Sequence, residues 1–292
     1  RTDTELRARE RPDRIPLSLA QQRMWFLNRF DPDSSAYNIP VAVRLSGSLE
    51  TSALAAAVSD VVARHEALRT IYPADEHGPH QVVLAAHEAA VGMEVLPAAE
   101  DELVALVSAG MQATFDVTSE VPIRVFLYEI SPTEHVLVVV IHHISADGSS
   151  VAPLTRDVMS AYAARLNGSA PDWAPLEVQY ADYTLWQRET LGSAGDPDSR
   201  AGIQTRYWQN ELAGLPDQLD LPFDRPRPAM QSLAGGEVAF ELGAELHRGL
   251  RRIAREGNAS LFMVLHAAWA LTLSRLSQRT DIAIGSPIAG RG

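Results

Sequence analysis

Apolar residues return at helical intervals in several parts of the chain. Between Ser52 and Arg69, the residues Leu54, Val58, Val61, Val62, His65 and Leu68 keep that spacing, which predicts one long helix with a core-facing stripe. Leu19–Phe30 carries Met24, Trp25 and Leu27 behind Ser18, a residue type that caps helix starts, and reads as a short amphipathic helix. A further helix is expected over Glu102–Thr114, and in Val151–Leu166 the residues Leu154, Val158, Tyr162 and Leu166 share one face. Alternation takes over elsewhere. Val41, Val43 and Leu45 alternate with Ala42, Arg44 and Ser46 up to Gly47, the period of a half-buried strand. Ile123–Ile130 and His135–Ile141 are rich in strand-forming residues and flank Ser131-Pro132-Thr133-Glu134, so they are predicted to be adjacent antiparallel strands.

Asn167-Gly168-Ser169-Ala170-Pro171-Asp172 is the clearest break in this pattern, built of residues that favour turns. A lobe boundary is placed there, giving lobes at 17–170 and 171–292, with 1–16 as a linker arriving from upstream because it mixes Arg, Glu, Asp and Pro without apolar period. The second lobe is expected to hold helices near Trp186, Gln204–Leu212, Ala244–Glu256 and Ser260–Leu276. A proline-rich loop is expected at Leu221–Pro228, and strands at Val238–Leu242 and Ile282–Ile284. The mixture of elements argues for an α/β or α+β fold in two lobes. No short-period repeat is present, although the halves are compatible with distant structural duplication.

A chain of 292 residues with 46% hydrophobic and 21% charged residues has ordinary globular composition, which excludes wholly disordered, collagenous and coiled-coil classes. The 25 Lys and Arg against 37 Asp and Glu give a net charge of −12, which argues against a broad grip on nucleic acid or anionic lipid. The count of Cys is 0, so disulfides, thiolate nucleophiles and cysteine metal sites are excluded. The aliphatic run Val136–Ile141 falls far short of the ~20 residues that cross a bilayer, so no membrane association is expected and the location is read as cytoplasmic.

No P-loop, dinucleotide fingerprint, nucleophile elbow or zincin motif occurs. His65-Glu66 and His87-Glu88 each lack a second metal histidine, and Asp31-Pro32-Asp33 lacks the later positions of a calcium loop. The chemistry concentrates instead in His142-His143-Ile144-Ser145-Ala146-Asp147-Gly148, where a buried strand gives way to a helix. A histidine there can take a proton near neutral pH, and the helix start offers N–H donors to developing negative charge. Three readings stand on the residues alone: a base beside an oxyanion-friendly turn, a plain loop pair, and a metal site. The last is disfavoured because adjacent residues of an extended strand point to opposite sides.

The segment His142–Gly148 resembles the HHxxxDG motif of condensation domains of nonribosomal peptide synthetases, which share the fold of chloramphenicol acetyltransferase. Four further segments match that family in order: Ser18–Leu27, Arg64–Thr70, Tyr180–Gln187 and Ile284–Arg291. The resemblance covers nearly the whole chain. Ser35–Pro40 and the Leu221–Pro228 loop are similar to the branch that joins two L-configured residues. His142 and His143 are unlike the heterocyclising branch, and the first motif differs from that of the epimerising branch.

That resemblance implies two acyltransferase-like lobes in a V-shaped pseudo-dimer. The family continues past the Gly290-Arg291 motif, so the second lobe is expected to be incomplete. It implies an acyltransferase that forms amide bonds: an aminoacyl-carrier amine attacks an acyl- or peptidyl-carrier thioester, both held on 4'-phosphopantetheine, with no cofactor or metal of the domain's own. Donor and acceptor peptidyl carrier proteins and an adjoining adenylation domain are the implied partners, and the domain is expected to be monomeric within a multidomain synthetase. His143 is implied to meet the acceptor amine and Gly148 to offer its N–H to the thioester oxygen. Structural roles fall to His142, to an Asp147–Arg291 ion pair, and to Arg64 and Arg69, which lie five positions apart and are read as internal braces. The alternatives are a recruitment domain of the same fold, or an epimerising or ester-forming relative.

Overall fold

In the computed structural model, residues 5–89, 91–229 and 235–286 are described. They fall into two compact units, 1–204 and 205–292.

The first unit is organised by one strand, β8 (Glu134–His142). Its partners are β2 (Asn38–Ser46) on one side and β7 (Ile123–Ser131) on the other, both antiparallel. β7 and β8 are joined through Pro132 and Thr133, as the turn residues predict. Beyond β7 lies β6 (Met93–Pro97), parallel to it, so the sheet order is β2-β8-β7-β6. Parallel neighbours need a crossover, and α3 (Leu103–Met111) is the helix in that connection.

Both faces of β8 are covered, which explains why it reads as a continuous apolar run instead of an alternating one. Val136, Val138 and Val140 join Leu17, Met24, Leu103, Phe115 and Val117 in one cluster. Leu137, Val139 and Ile141 face Val58, Val61 and Val62 of α2 (Thr51–Arg64) and Leu154 and Val158 of α4 (Val151–Leu166) in the other. Helix α1 (Leu19–Phe30) starts on a full capping box between Ser18 and Gln21.

A smaller antiparallel sheet centres on β5 (Gly78–Val83), which pairs with β1 (Ile15–Pro16), β3 (Thr70–Ile71) and β4 (Ala74–Asp75). Its strands, like β6, are not anticipated by the periodicity. The helix expected over 52–69 is also divided. α2 ends at Arg64, His65 is extended, and Glu66–Arg69 forms a separate 3-10 turn.

Contacts divide the chain after Gln204, and α5 (Tyr180–Leu191) is fastened to the first unit. Gln179 accepts the Glu66 N–H at 3.2 Å and donates to the Arg64 carbonyl at 2.9 Å, and Arg188 donates to the Leu17 carbonyl at 2.8 Å. The stretch 171–204, expected from sequence in a second lobe, therefore packs with the first unit, because α5 buries Ala181, Asp182, Tyr183 and Thr184 there. Helix α6 (Arg200–Glu211) carries the division itself.

In the second unit, α7 (Ala244–Glu256) and α8 (Leu261–Ser277) meet at 104°. The strands expected at 238–242 and 282–284 are not formed. A strand needs a neighbour to take its N–H and C=O groups, and neither segment pairs among the described residues; Val238 is 87% exposed. No single helix among the described residues is long and apolar enough to cross a membrane.

Candidate active site

The β2–β8 ladder determines how the two histidines differ. Asn38 pairs with His142, the last residue of β8, and the Tyr37 carbonyl then accepts the His143 N–H at 2.8 Å. His142 shares the face of Val138 and Val140 and is buried, its ring edge-on to Phe115 at 6.0 Å. His143 follows where the strand ends and is exposed. The His142 carbonyl accepts the Ser145 N–H at 3.0 Å, so residues 142–145 form a closed turn with His143 at its first corner.

His142 is held in one protonation state. Its Nδ1 accepts the Ile144 N–H at 3.1 Å, so the proton of the neutral ring sits on Nε2. Burial lowers its pKa to about 4, with repulsion from His143 adding to the effect. The ring of His142 is neutral at physiological pH.

Asp147 starts the next element. It is extended and caps the short 3-10 turn Gly148–Ser150 that leads into α4. Its Oδ1 accepts from the Ser150 N–H at 3.1 Å and from the hydroxyls of Ser150 at 2.9 Å and Ser149 at 2.7 Å. Ser150 Oγ in turn accepts the Asp147 N–H at 3.1 Å, completing a capping box. Gly148 is exposed, and a Cβ added to it meets nothing within 4 Å. The fold of the described residues therefore makes no steric demand for glycine at 148. Arg291, the expected partner of Asp147, lies outside the described residues, as does most of the motif that contains it.

Arg64 and Arg69 bond elsewhere than the 142–148 turn. Arg64 Nε donates to Asp157 Oδ2 at 3.0 Å, Nη1 to the Ala174 carbonyl at 2.6 Å, and the guanidinium lies 4.8 Å from the Trp173 ring centre. The same Asp157 oxygen lies 2.8 Å from His65 Nε2. Asp157 is buried, which pushes its pKa up, but His65, Arg156 and Arg64 outweigh that and leave it lowered overall. Arg69 donates to the carbonyls of Ala63, at 3.3 Å, and Leu84, and lies 3.7 Å from Glu66. These bonds pin the end of α2 to α4, and the 3-10 turn after it to β5 and its flank, and they account for the break at His65.

One residue near the turn escaped the sequence reading. Tyr72 is fully buried, and its hydroxyl lies 3.1 Å from Ser145 Oγ. A signal was available: Tyr72 follows the Arg64–Thr70 motif by two positions, and a buried tyrosine requires a partner for its hydroxyl. An apolar hollow lined by Val41, Val62, Ile141 and Leu154 also reaches Asp147 and Ser150. Among the described residues no cluster suited to hold a metal ion is present.

Comparison with known proteins agrees with this architecture. A family model described as Condensation domain matches residues 12–292. The chain is 51% identical over 281 residues to a protein of Salinispora arenicola (strain CNS-205) named "Probable non-canonical nonribosomal peptide synthetase (NRPS) CymA", covering 96% of this chain and 4% of that protein. It is 49% identical over 287 residues to the "Isonitrile lipopeptide synthase" of Mycobacterium tuberculosis (strain ATCC 25618 / H37Rv), covering 97% and 11%. The chain thus spans only a small part of the curated relatives it matches. Among solved structures it resembles "Complex of the X-domain and OxyB from Teicoplanin Biosynthesis", with a TM-score of 0.90 and 39% identity over 97% of this chain and 61% of that one.

Proposed function

The chain belongs to the condensation-domain family of nonribosomal peptide synthetases, with its mixed α/β, chloramphenicol acetyltransferase-like fold, and from that membership we propose that it forms peptide bonds between two carrier-bound substrates. The amine of an aminoacyl group on one carrier's phosphopantetheine attacks the thioester carbon of an acyl or peptidyl group on another. A tetrahedral oxyanion forms, the C–S bond breaks, and the amide remains on the acceptor carrier. The donor pantetheine leaves as a thiol, taking up the proton that the amine gives away.

His143 is assigned to the amine. It accepts or hydrogen-bonds the proton in transit, a role worth about 10² to 10⁴ in rate. The observation that carries this reading is the division of labour at the strand end: one imidazole is buried and neutral, while its neighbour is exposed on a turn closed by backbone bonds. Gly148, at the first position after the Asp147 cap, is assigned the N–H that faces the thioester oxygen. With no fold-derived need for a bare Cα there, the glycine is read as clearance for the pantetheine arm. Asp147 is assigned an ion pair with Arg291 in addition to its cap. The substrates are assigned L-configured donor and acceptor residues, and an adjoining adenylation domain is the source of the acceptor.

Loaded donor and acceptor carriers mixed with the wild-type chain should give the condensed product on the acceptor. His143→Ala should bind both carriers and lose roughly 10²-fold or more in rate. Equal turnover by that variant overturns the assignment.

A second reading is favoured by one observation, the likeness to an X-domain solved in complex with another protein. On this reading the domain recruits a partner and does no chemistry. Carrier binding without any product from the wild-type chain selects it.

A further inference from the structure

A chain of buried polar groups runs from α5 to the turn that holds His143, and the orientation of its two amides can be assigned. Gln21 Oε1 accepts the Ser18 N–H at 2.9 Å. Its Nε2 is therefore the group facing the Tyr72 hydroxyl at 3.4 Å and Gln81 Oε1 at 3.2 Å. The Gln81 amide is set independently: its Nε2 donates to the Pro16 carbonyl at 2.7 Å and to Thr184 Oγ1 at 3.3 Å, which leaves Oε1 toward Gln21. An amide nitrogen only donates, so the Tyr72 oxygen accepts from Gln21, and the same hydroxyl shares a hydrogen bond with Ser145 Oγ at 3.1 Å in which either oxygen can donate.

The backbone of Tyr72 is equally fixed. Its N–H donates to the Val117 carbonyl at 2.8 Å, and its carbonyl accepts Trp25 Nε1 at 2.8 Å. A rigid phenol thus grips the fourth residue of a turn whose second residue is His143. The first residue of that turn is held through the ring of His142, and the fourth is held by side chain through Tyr72.

We propose that Tyr72 is a positioning residue for His143: through its bond to Ser145 it holds the 142–145 turn in the orientation that aims the exposed imidazole. The consequence for rate rests on the reading of His143 as the group that meets the amine, whereas the hold on the turn does not. Misaiming a reacting group by about 1 Å costs on the order of 10²-fold in rate. Substrate docking, governed by other surfaces, should be untouched.

The test uses Tyr72→Phe, Ser145→Ala, their double variant and Ser145→Thr in the full chain, read in two ways. Amide hydrogen exchange should speed up at Ile144 and Ser145 in the first three variants, with β8 still protected. In the condensation assay those three should lose kcat by roughly tenfold to 10²-fold, with KM for both loaded carriers unchanged. The double variant should be no slower than either single, and Ser145→Thr, which keeps the hydroxyl, should retain wild-type behaviour. Unchanged exchange at Ile144 and Ser145 overturns the proposal, as do losses that multiply in the double variant or fall on KM. If the wild-type chain makes no product, the catalytic reading fails, and the exchange data still decide whether Tyr72 holds the turn.

Discussion

The Nδ1 of His142 accepts the amide of Ile144, two residues along the same chain, in a site whose burial keeps the ring uncharged down to about pH 4. Its pKa is depressed from 6.5 to about 4. Above pH 6.5 both folded and unfolded forms are neutral, and the stabilisation is fully present. As the pH falls below 6.5 the unfolded chain takes up a proton that the folded chain refuses until about pH 4, so stability declines across that window. The full decline from this group is on the order of 3 kcal/mol. Urea unfolding at pH 7 and pH 5 should show a larger loss for the wild type than for His142→Asn, which has no imidazole to titrate.

Asp147 gathers three donors on one oxygen before any partner from 287–292 is considered. Asp147→Ala should lower stability by about 1 to 2 kcal/mol through loss of the cap alone, and Asp147→Asn, which keeps an acceptor oxygen, by less. Thermal melts of the two variants check this. A melting point for Asp147→Ala equal to the wild type removes the capping role.

Asp157 is a buried acid bonded to Arg64 at 3.0 Å and to His65 at 2.8 Å. Asp157→Ala leaves a nearly buried guanidinium without its carboxylate and should cost about 3 to 5 kcal/mol, among the larger single-site losses in the first unit. Replacing Arg64 and Asp157 together with apolar residues should recover much of that loss. Chemical denaturation of the single and double variants measures the difference.

Gly148→Ala distinguishes fold from function. Its added Cβ meets nothing within 4 Å, so the variant should melt within about 1 °C of the wild type, since a surface change away from special backbone is usually worth less than 0.5 kcal/mol. Condensation should nevertheless slow markedly if the pantetheine arm passes over that position. A variant as active as the wild type removes Gly148 from the site.

Much of this arrangement is legible in the residues, and the parts that are not have physical reasons. α4 and the β7–β8 pair can be read directly, because a long apolar period and a Pro-Thr turn are local signals. β1, β3 and β4 are two residues each, too short to carry any period, and they exist because β5 offers them partners. The break after α2 is set by His65 reaching Asp157, 92 residues away, which no window of sequence can contain. The His142–Gly148 motif stands out in the sequence, yet which of the two histidines is buried depends on the register with Asn38. The contribution of Tyr72 is a hydroxyl contact with Ser145, 73 residues away, invisible before the fold brings the two together.

The pairing of Asn38 with His142 bears on how such domains can be recombined. A chimaera whose seam falls between position 37 and position 150 takes the two halves of one ladder from different parents. A single-residue slip at the join would rotate the 142–145 turn to the wrong side of the sheet. A seam in the 212–229 stretch keeps the ladder, the Tyr72 chain and the α5 fastenings in one inherited block. Grafts made there are the ones expected to keep their histidine pointing where the donor's did.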